Sequence, residues 1–255
     1  MREKLNKLAL LLPEGCIASI PWLKTRGYSA QLIERYKKSG RLVQLGRSAY
    51  RRLGRLPEWQ DVVSSLDQCW NLPVHAGAVT ALELQGLGHY VRLGKNTRIY
   101  IYIQGSKMLP QWVHTIETGA SFVTAKTSLF KPPHDREGLV ELECPKSPWS
   151  MRVSAPERAI LEMLDLVPGD ESFEHASLIT EGLLSLRPDV LMTLLGACTR
   201  IKVKRLFLFL AEHFNLPCFS HLDVNRIDLG KGTRQIVKNG RYDAKYRITI
   251  PKSLQ

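Results

Sequence analysis

Several residue groups in this chain have the types, but not the spacing, of a catalytic site. Gly105-Ser106 is the pair that opens a nucleotidyltransferase site, yet no Asp-x-Asp follows to hold two Mg²⁺ ions. Gly230-Lys231-Gly232-Thr233 carries phosphate-contacting residues without the G-x-x-x-x-G-K-[ST] spacing that wraps a phosphate in backbone N–H groups, so it reads as a turn. The seven histidines (His75, His89, His114, His134, His175, His213, His221) form no H-x-x-x-H pair and read as surface or packed imidazoles. Asp135, Glu141, Glu143 and Lys146 have the composition of a metal-dependent nuclease, but their spacing fits a solvated strand face better. Five cysteines (Cys16, Cys69, Cys144, Cys198, Cys218) are odd in number, scattered and free of any C-x-x-C, the pattern of reduced thiols in a cytoplasm. No enzyme, metal or cofactor is expected.

The chemistry that remains is charge. Residues 1–56 hold thirteen Lys/Arg against three Glu, a net +10, out of +12 for the whole 255-residue chain. The other 199 residues carry 23 basic and 21 acidic side chains and are nearly neutral. A small basic segment joined to a large neutral one is the asymmetry of a nucleic-acid binder with a second function. The N-terminus lacks a continuous apolar stretch and a cleavage site, so no signal peptide is expected, and Leu206–Ala211 is far short of the roughly 20 residues of a membrane span.

Elements must place those charges. Leu5, Leu8, Leu11 and Leu12 recur at helical spacing over 2–12, stopped by Pro13 and Gly15. Ser19 caps a short helix with Pro21 in its first turn, and Gly27 ends it. Ser29 caps a third helix, 30–39, which turns Leu32, Ile33 and Tyr36 inward and Gln31, Arg35 and Lys38 outward, and Gly40 stops it. Residues 41–53 alternate as a hairpin that turns at Gly46-Arg47-Ser48. Two short helices about a glycine turn, followed by an arginine-tipped hairpin, predict a winged helix-turn-helix. Its expected DNA contacts are Gln31, Arg35, Lys38, Arg41, Arg47, Arg51 and Arg52, with Tyr36 and Tyr50 in the core.

The expected domains are 1–56, the DNA-binding module, and 57–255, with a possible sub-boundary near 145–153. Linker candidates are Leu53–Pro57 and Pro145–Pro148. Beyond Pro57, helices are expected over Trp59–Trp70 and Pro73–Gln85, with Ala76-Gly77-Ala78 allowing close packing. Strands are expected over Tyr90–Leu93 and Arg98–Ile103 about Gly94-Lys95-Asn96, then over Ala120–Phe130, Gly138–Cys144 and Ser150–Val153. Ser154 is expected to cap a helix over Pro156–Leu166, followed by helices at Phe173–Leu186, Pro188–Cys198 and Ile201–Phe214, and a last strand at Arg247–Ile250. The fold class is α+β: an N-terminal winged helix followed by a larger α+β domain with a strand-rich middle and a helical lobe. Two basic groups stand out there. Lys202, Lys204 and Arg205, after Arg200, form one; Lys231, Arg234, Lys238, Arg241, Lys245 and Arg247, among Tyr242 and Tyr246, form the other. Each reads either as a partner surface or as stems lying over a packed helix and sheet edge.

The chain resembles the AbiEi family of antitoxins from bacterial abortive-infection toxin–antitoxin systems. The similarity rests on Gly40-Arg41-Leu42-Val43-Gln44-Leu45-Gly46-Arg47-Ser48-Ala49-Tyr50, Thr80-Ala81-Leu82-Glu83-Leu84-Gln85-Gly86-Leu87, Ala155-Pro156-Glu157-Arg158-Ala159-Ile160-Leu161, Val203-Lys204-Arg205-Leu206 and the stretch from Gly230-Lys231-Gly232 to Pro251. The wing turn reads Gly46-Arg47-Ser48 where many members carry a second glycine. The resemblance implies a cytoplasmic repressor that binds inverted repeats in its own promoter. It also implies a C-terminal domain that antagonises a nucleotidyltransferase-fold toxin from the same operon, directly or through a shared target, without requiring a stable complex. Lys202, Lys204 and Arg205 are the expected antitoxin surface. The alternatives are a ligand-sensing winged-helix regulator with no toxin partner, and a DNA-targeted nuclease.

Overall fold

The computed structural model describes residues 2–88, 97–105, 107–126, 128–144, 147–252 and 254. The expected strand Tyr90–Leu93 and its turn, together with His89, Ser106, Pro145 and Lys146, lie outside the described residues. The chain forms two compact units. One comprises Met1–Ala76, Arg92–Ala125 and Glu141–Val153; the other comprises Gly77–Val91, Lys126–Val140 and Ser154–Gln255.

The first unit begins with the winged helix. Helix α1 (Arg2–Leu11) sends Leu8 into the core, and Leu12 follows it there. A three-residue strand, β1 (Ile17–Ser19), is wholly buried; sequence alternation does not register over so short a length. Ser19 then caps α2 (Ile20–Thr25), its Oγ accepting from Trp22 N at 3.1 Å. Ser29 caps α3 (Ala30–Lys38) in the same way through Leu32 N at 3.3 Å. Strands β2 (Leu42–Gly46) and β3 (Ala49–Arg52) form the wing, and β1 completes a three-stranded antiparallel sheet in the order β1-β3-β2. Ser48 takes φ +64°, the left-handed conformation that a glycine adopts without strain. The serine therefore makes the wing turn in a conformation that glycine would adopt freely. Leu8, Leu12, Trp22, Leu23, Ile33, Tyr36, Leu42 and Tyr50 pack into one core, which puts both tyrosines inside as expected.

This unit continues past residue 56. Helix α4 (Trp59–Trp70) is tied to β1 by three hydrogen bonds: Ile17 N to Ser65 Oγ (2.8 Å), Ser19 Oγ to Cys69 O (2.7 Å) and Trp70 Nε1 to Ile17 O (3.1 Å). Arg55 grips the buried Asp61 carboxylate with both terminal nitrogens, at 2.7 and 2.9 Å. The helix expected from Pro73 begins instead as β4 (Val74–Ala76), and only after Gly77 does the chain turn into α5 (Ala78–Leu84). The reason is burial on both sides, which erases the alternation that marks a strand. Strand β4 lies at the centre of a five-stranded sheet, between β5 (Thr97–Ile103) and β8 (Met151–Ser154), with β6 (Ala120–Lys126) and β7 (Leu139–Leu142) at the edges. A short helix, α6 (Trp112–Thr115), lies between β5 and β6, and its Trp112 Cβ would meet a Cβ on Gly46 at 2.9 Å. That close approach requires a glycine in the wing.

The second unit is helical, built from α5, α7 (Pro156–Leu166), α8 (Phe173–Glu181), α9 (Pro188–Ala197) and α10 (Ile201–His213). It closes with a small sheet in the order β10-β11-β9, where β9 is Arg234–Gln235, β10 is Arg241–Asp243 and β11 is Ile248–Ile250. Helix α7 is its hub. Arg158, 1% exposed, donates to Glu162 Oε1 (2.8 Å) and to the carbonyls of Asp135 and Glu137 (2.9 Å each). Ser154 does not cap α7; Ala155 holds that position, and Ser154 Oγ donates to Glu162 Oε2 at 2.7 Å. Glu162 Oε2 also accepts from Ala78 N at 3.1 Å, which fixes the start of α5. Arg158 and Glu162 are thus paired and hydrogen-bonded, the condition under which buried charge is tolerated.

Candidate nucleic-acid interface

Helix α3 presents Gln31, Arg35 and Lys38 on one exposed face, at i, i+4 and i+7, because Ile33 and Tyr36 anchor the opposite face in the core. Arg47 is exposed at the wing tip. Arg41 is exposed at the base of the wing, its Cζ 6.0 Å from the Tyr36 ring centroid. Lys24 and Arg26, on α2 and just after it, are also exposed and were not singled out in the sequence. Arg26 lies with its Cζ 3.8 Å from the Trp22 ring centroid, a cation–π contact that orders the side chain. The signal for both was their place in the turn between two capped helices. Lys37 is engaged by Glu34 at 2.9 Å.

Two of the expected contacts point elsewhere. Arg51 is 8% exposed and donates to the carbonyls of Arg52 (2.9 Å) and Gly54 (3.4 Å), because it faces inward along β3. Arg52, half-buried, donates to the carbonyls of Ala9 and Leu12 and so caps the end of α1. Both arginines hold the module together rather than offering charge at its surface.

The expected antitoxin surface also turns inward. Arg205 is 1% exposed and donates to four carbonyl oxygens: Leu229 (2.8 Å), Gly230 (3.0 Å), Gly232 (2.6 Å) and Arg247 (3.2 Å). Lys204 is 4% exposed and donates to Asp228 O at 3.2 Å. Lys202 is half-buried, its ammonium held by the carbonyls of Asp165 (2.8 Å) and Val167 (2.6 Å). These residues fall on the buried side of α10 because that helix is enclosed over most of its length. Lys204 and Arg205 therefore form no surface. The same contacts make Gly230–Gly232 a turn whose carbonyls point at a guanidinium, as its spacing implied.

The other candidates are likewise accounted for. Glu141 accepts from Ser150 Oγ and pairs with Arg152 at 3.5 Å, whereas Asp135 lies in a 3-10 turn of the second unit. His75 stacks on Tyr102, and His213 stacks on Phe209. All five cysteines are free and buried; burial pushes the Cys16 thiol up to about 12 and Cys198 up to about 11, away from reactive thiolate. Among the described residues no group of three or more His, Cys, Asp or Glu is placed to hold a metal ion, and no helix is long and apolar enough to cross a membrane.

Comparison with known proteins adds the family. Residues 1–93 match the model for the N-terminal domain of AbiEi antitoxin transcriptional regulators. Residues 96–251 match the model for the AbiEi antitoxin transcriptional regulator of type IV toxin–antitoxin systems. No curated protein matches. Among solved structures, the fold is similar to that of the RV2827C protein from Mycobacterium tuberculosis, at 15% identity and a TM-score of 0.59, covering 96% of this chain and 89% of that one. With both family models matched in sequence over nearly its whole length, the chain belongs to the AbiEi antitoxin family, transcriptional regulators of type IV toxin–antitoxin systems.

Proposed function

We propose that this antitoxin represses its own operon by laying α3 in the major groove of promoter inverted repeats, with the wing on the flanking backbone. It antagonises a nucleotidyltransferase-type toxin encoded beside it, through the second unit. The observation that carries the DNA half is the exposed set Gln31, Arg35, Lys38, Arg41 and Arg47 on a capped helix and hairpin tip. Gln31 and Arg35 have the side chains that read base edges, and Lys38, Arg41 and Arg47 those that meet phosphates. The toxin half rests on family membership and on the near-neutral charge of the remaining chain.

The experiment is a footprint and a rescue assay on the full-length protein, wild type and Arg35→Ala/Arg47→Ala. Full length matters because a cut at residue 56 would strip Asp61 of Arg55 and leave a buried carboxylate unpaired. The double variant is expected to lose protection of the upstream repeats and still rescue cells from the neighbouring toxin. Loss of neither activity would refute the DNA assignment, and failure of the wild type to rescue would refute the toxin assignment.

A further inference from the structure

We propose that an open cleft in the second unit binds the phosphate groups of a nucleotide ligand, carried either by an RNA backbone or by a free nucleoside triphosphate. The cleft is about 600 Å³ and is lined by Asp165, Thr199, Arg200, Ile201, Lys202 and Arg234. That volume falls in the range of small-ligand sites. Three cations face one carboxylate there. Asp165 lies 4.0 Å from Lys202 Nζ, so the two offset each other, and the surplus is the pair of guanidinium groups on Arg200 and Arg234. Arg200 is exposed, and among the described residues Arg234 donates its side chain to the neighbouring Thr233 carbonyl, so both retain donors for an incoming anion. Planar guanidinium forks match phosphate oxygens two at a time, which single point charges do not.

A second feature lies behind this wall. Arg205 and Lys204 are buried cations that donate to carbonyl oxygens, and among the described residues no carboxylate pairs with either. Carbonyl dipoles satisfy their N–H groups but leave their net charge uncompensated. Burial, and then the neighbouring charges of Arg234 and Arg247, lower the Arg205 pKa. Burial lowers that of Lys202 too, Asp165 opposing and Arg200 adding to the effect. Arg205 thus adds positive charge beside Arg234, as Arg200 does beside Lys202, where a polyanion in the cleft would relieve it. Arg200 stands at the N-cap of α10 and makes no side-chain capping bond, so its guanidinium is not drawn back onto the helix. This proposal stands whether or not the toxin assignment does.

The test uses the full-length protein and an Arg200→Ala/Arg234→Ala variant. Binding is measured to a labelled single-stranded RNA 12-mer by fluorescence anisotropy and to ATP by calorimetry, with polyglutamate as a polyanion lacking phosphate. Wild type is expected to bind RNA or ATP, and the variant at least tenfold more weakly with an unchanged melting temperature. If RNA is the ligand, the variant's salt slope should be shallower by about 1.4, at roughly 0.7 per phosphate on a single strand. Binding of RNA that ATP does not displace identifies the backbone source; binding of ATP identifies the free nucleotide. An Arg35→Ala/Arg47→Ala variant should bind as wild type does, which separates the cleft from the winged helix. Should the double variant melt early, Arg200→Glu, at an exposed side chain, serves instead. Equal binding by variant and wild type, no binding of either probe, or equal binding of polyglutamate would overturn the proposal.

Discussion

Salt dependence separates the cations of the winged helix that meet DNA from those that hold the module together. Residues 1–56 contain thirteen Lys/Arg, and if all met phosphates the slope of log affinity against log salt would approach about −12, at roughly −0.9 per phosphate. The structure reduces that number. Exposed positions on α2, α3 and the wing are Lys24, Arg26, Arg35, Lys38, Arg41 and Arg47, whereas Arg51, Arg52 and Arg55 donate inward. With Arg35 given to a base edge, the other five give a slope near −4.5, which corresponds to about a five-hundredfold loss of affinity between 50 and 200 mM salt. Arg47→Gln should make the slope shallower by about 0.9 and weaken all sequences alike. Arg35→Ala should cost about 1–3 kcal/mol on the operator if Arg35 pairs with a guanine, and little on random DNA. Arg51→Gln should leave the slope unchanged and lower the melting temperature, because it removes bonds to the Arg52 and Gly54 carbonyls. Anisotropy of a labelled upstream duplex over 50–300 mM salt measures all three. A slope near zero for wild type, or equal slope changes for Arg47→Gln and Arg51→Gln at equal melting temperatures, would refute the reasoning.

Stability measurements address the rest of the scaffold. Arg205→Met removes the donor from the carbonyls of Leu229, Gly230 and Gly232, whereas Arg247 O keeps the Arg234 amide at 2.9 Å, and at about 1 kcal/mol for each bond lost the cost should reach about 3 kcal/mol in urea unfolding. A change under about 1 kcal/mol would mean the guanidinium is not the tie. Ser48→Gly should raise stability by about 1 kcal/mol, since glycine carries no penalty at φ +64°, and an unchanged or lower melt would place the strain elsewhere. Burial alone would raise the Glu157 carboxyl, but hydrogen bonds from Arg187 outweigh it and hold the pKa below the usual carboxylate range. A depressed folded-state pKa contributes stability that is present above the unfolded value of about 4.3 and is lost as pH falls through the folded one. Unfolding of Glu157→Gln should therefore be less pH-dependent below about pH 4 than that of wild type, and parallel profiles would contradict the pairing.

The winged helix was legible because its signals are local. Ser19 and Ser29 cap, Gly27 and Gly40 stop, and the hairpin alternates, so each element follows from a few neighbouring residues. What sequence could not show was the direction of individual side chains. Arg51 and Arg52 sit in a basic run indistinguishable from Arg47, and only the pairing of β3 with both β1 and β2 turns Arg51 inward. In the same way Lys204 and Arg205 read as a cationic cluster because charged residues are mostly exposed. Their burial depends on the return of residues 228–247 over α10, contacts 24 to 42 positions away that no local pattern reports. Strand β4 was misread as helix because Val74-His75-Ala76 is buried on both faces and its alternation is lost.

Three of the segments that carry the family resemblance supply internal ties. Ala155–Leu161 supplies Arg158 and Glu157, which fasten the 3-10 turn through Asp135 and Glu137 and the start of α9 through Arg187. Val203–Leu206 supplies Arg205, whose targets include Gly230 and Gly232, so two motifs 25 residues apart form one contact. Thr80–Leu87 supplies Gln85, whose amide donates to Ser154 O at 2.9 Å. Residues committed to such ties specify the scaffold and are unavailable to a partner. The proposed recognition of operator and nucleotide draws instead on exposed or half-buried side chains: Gln31, Arg35 and Arg47 on the winged helix, and Arg200 with Arg234 at the cleft. Substituting one of the tied residues tests folding, whereas substituting one of these tests function. The charge of Arg205 links the two, because the buried guanidinium that fastens the C-terminal turn also adds to the positive potential at the cleft it backs.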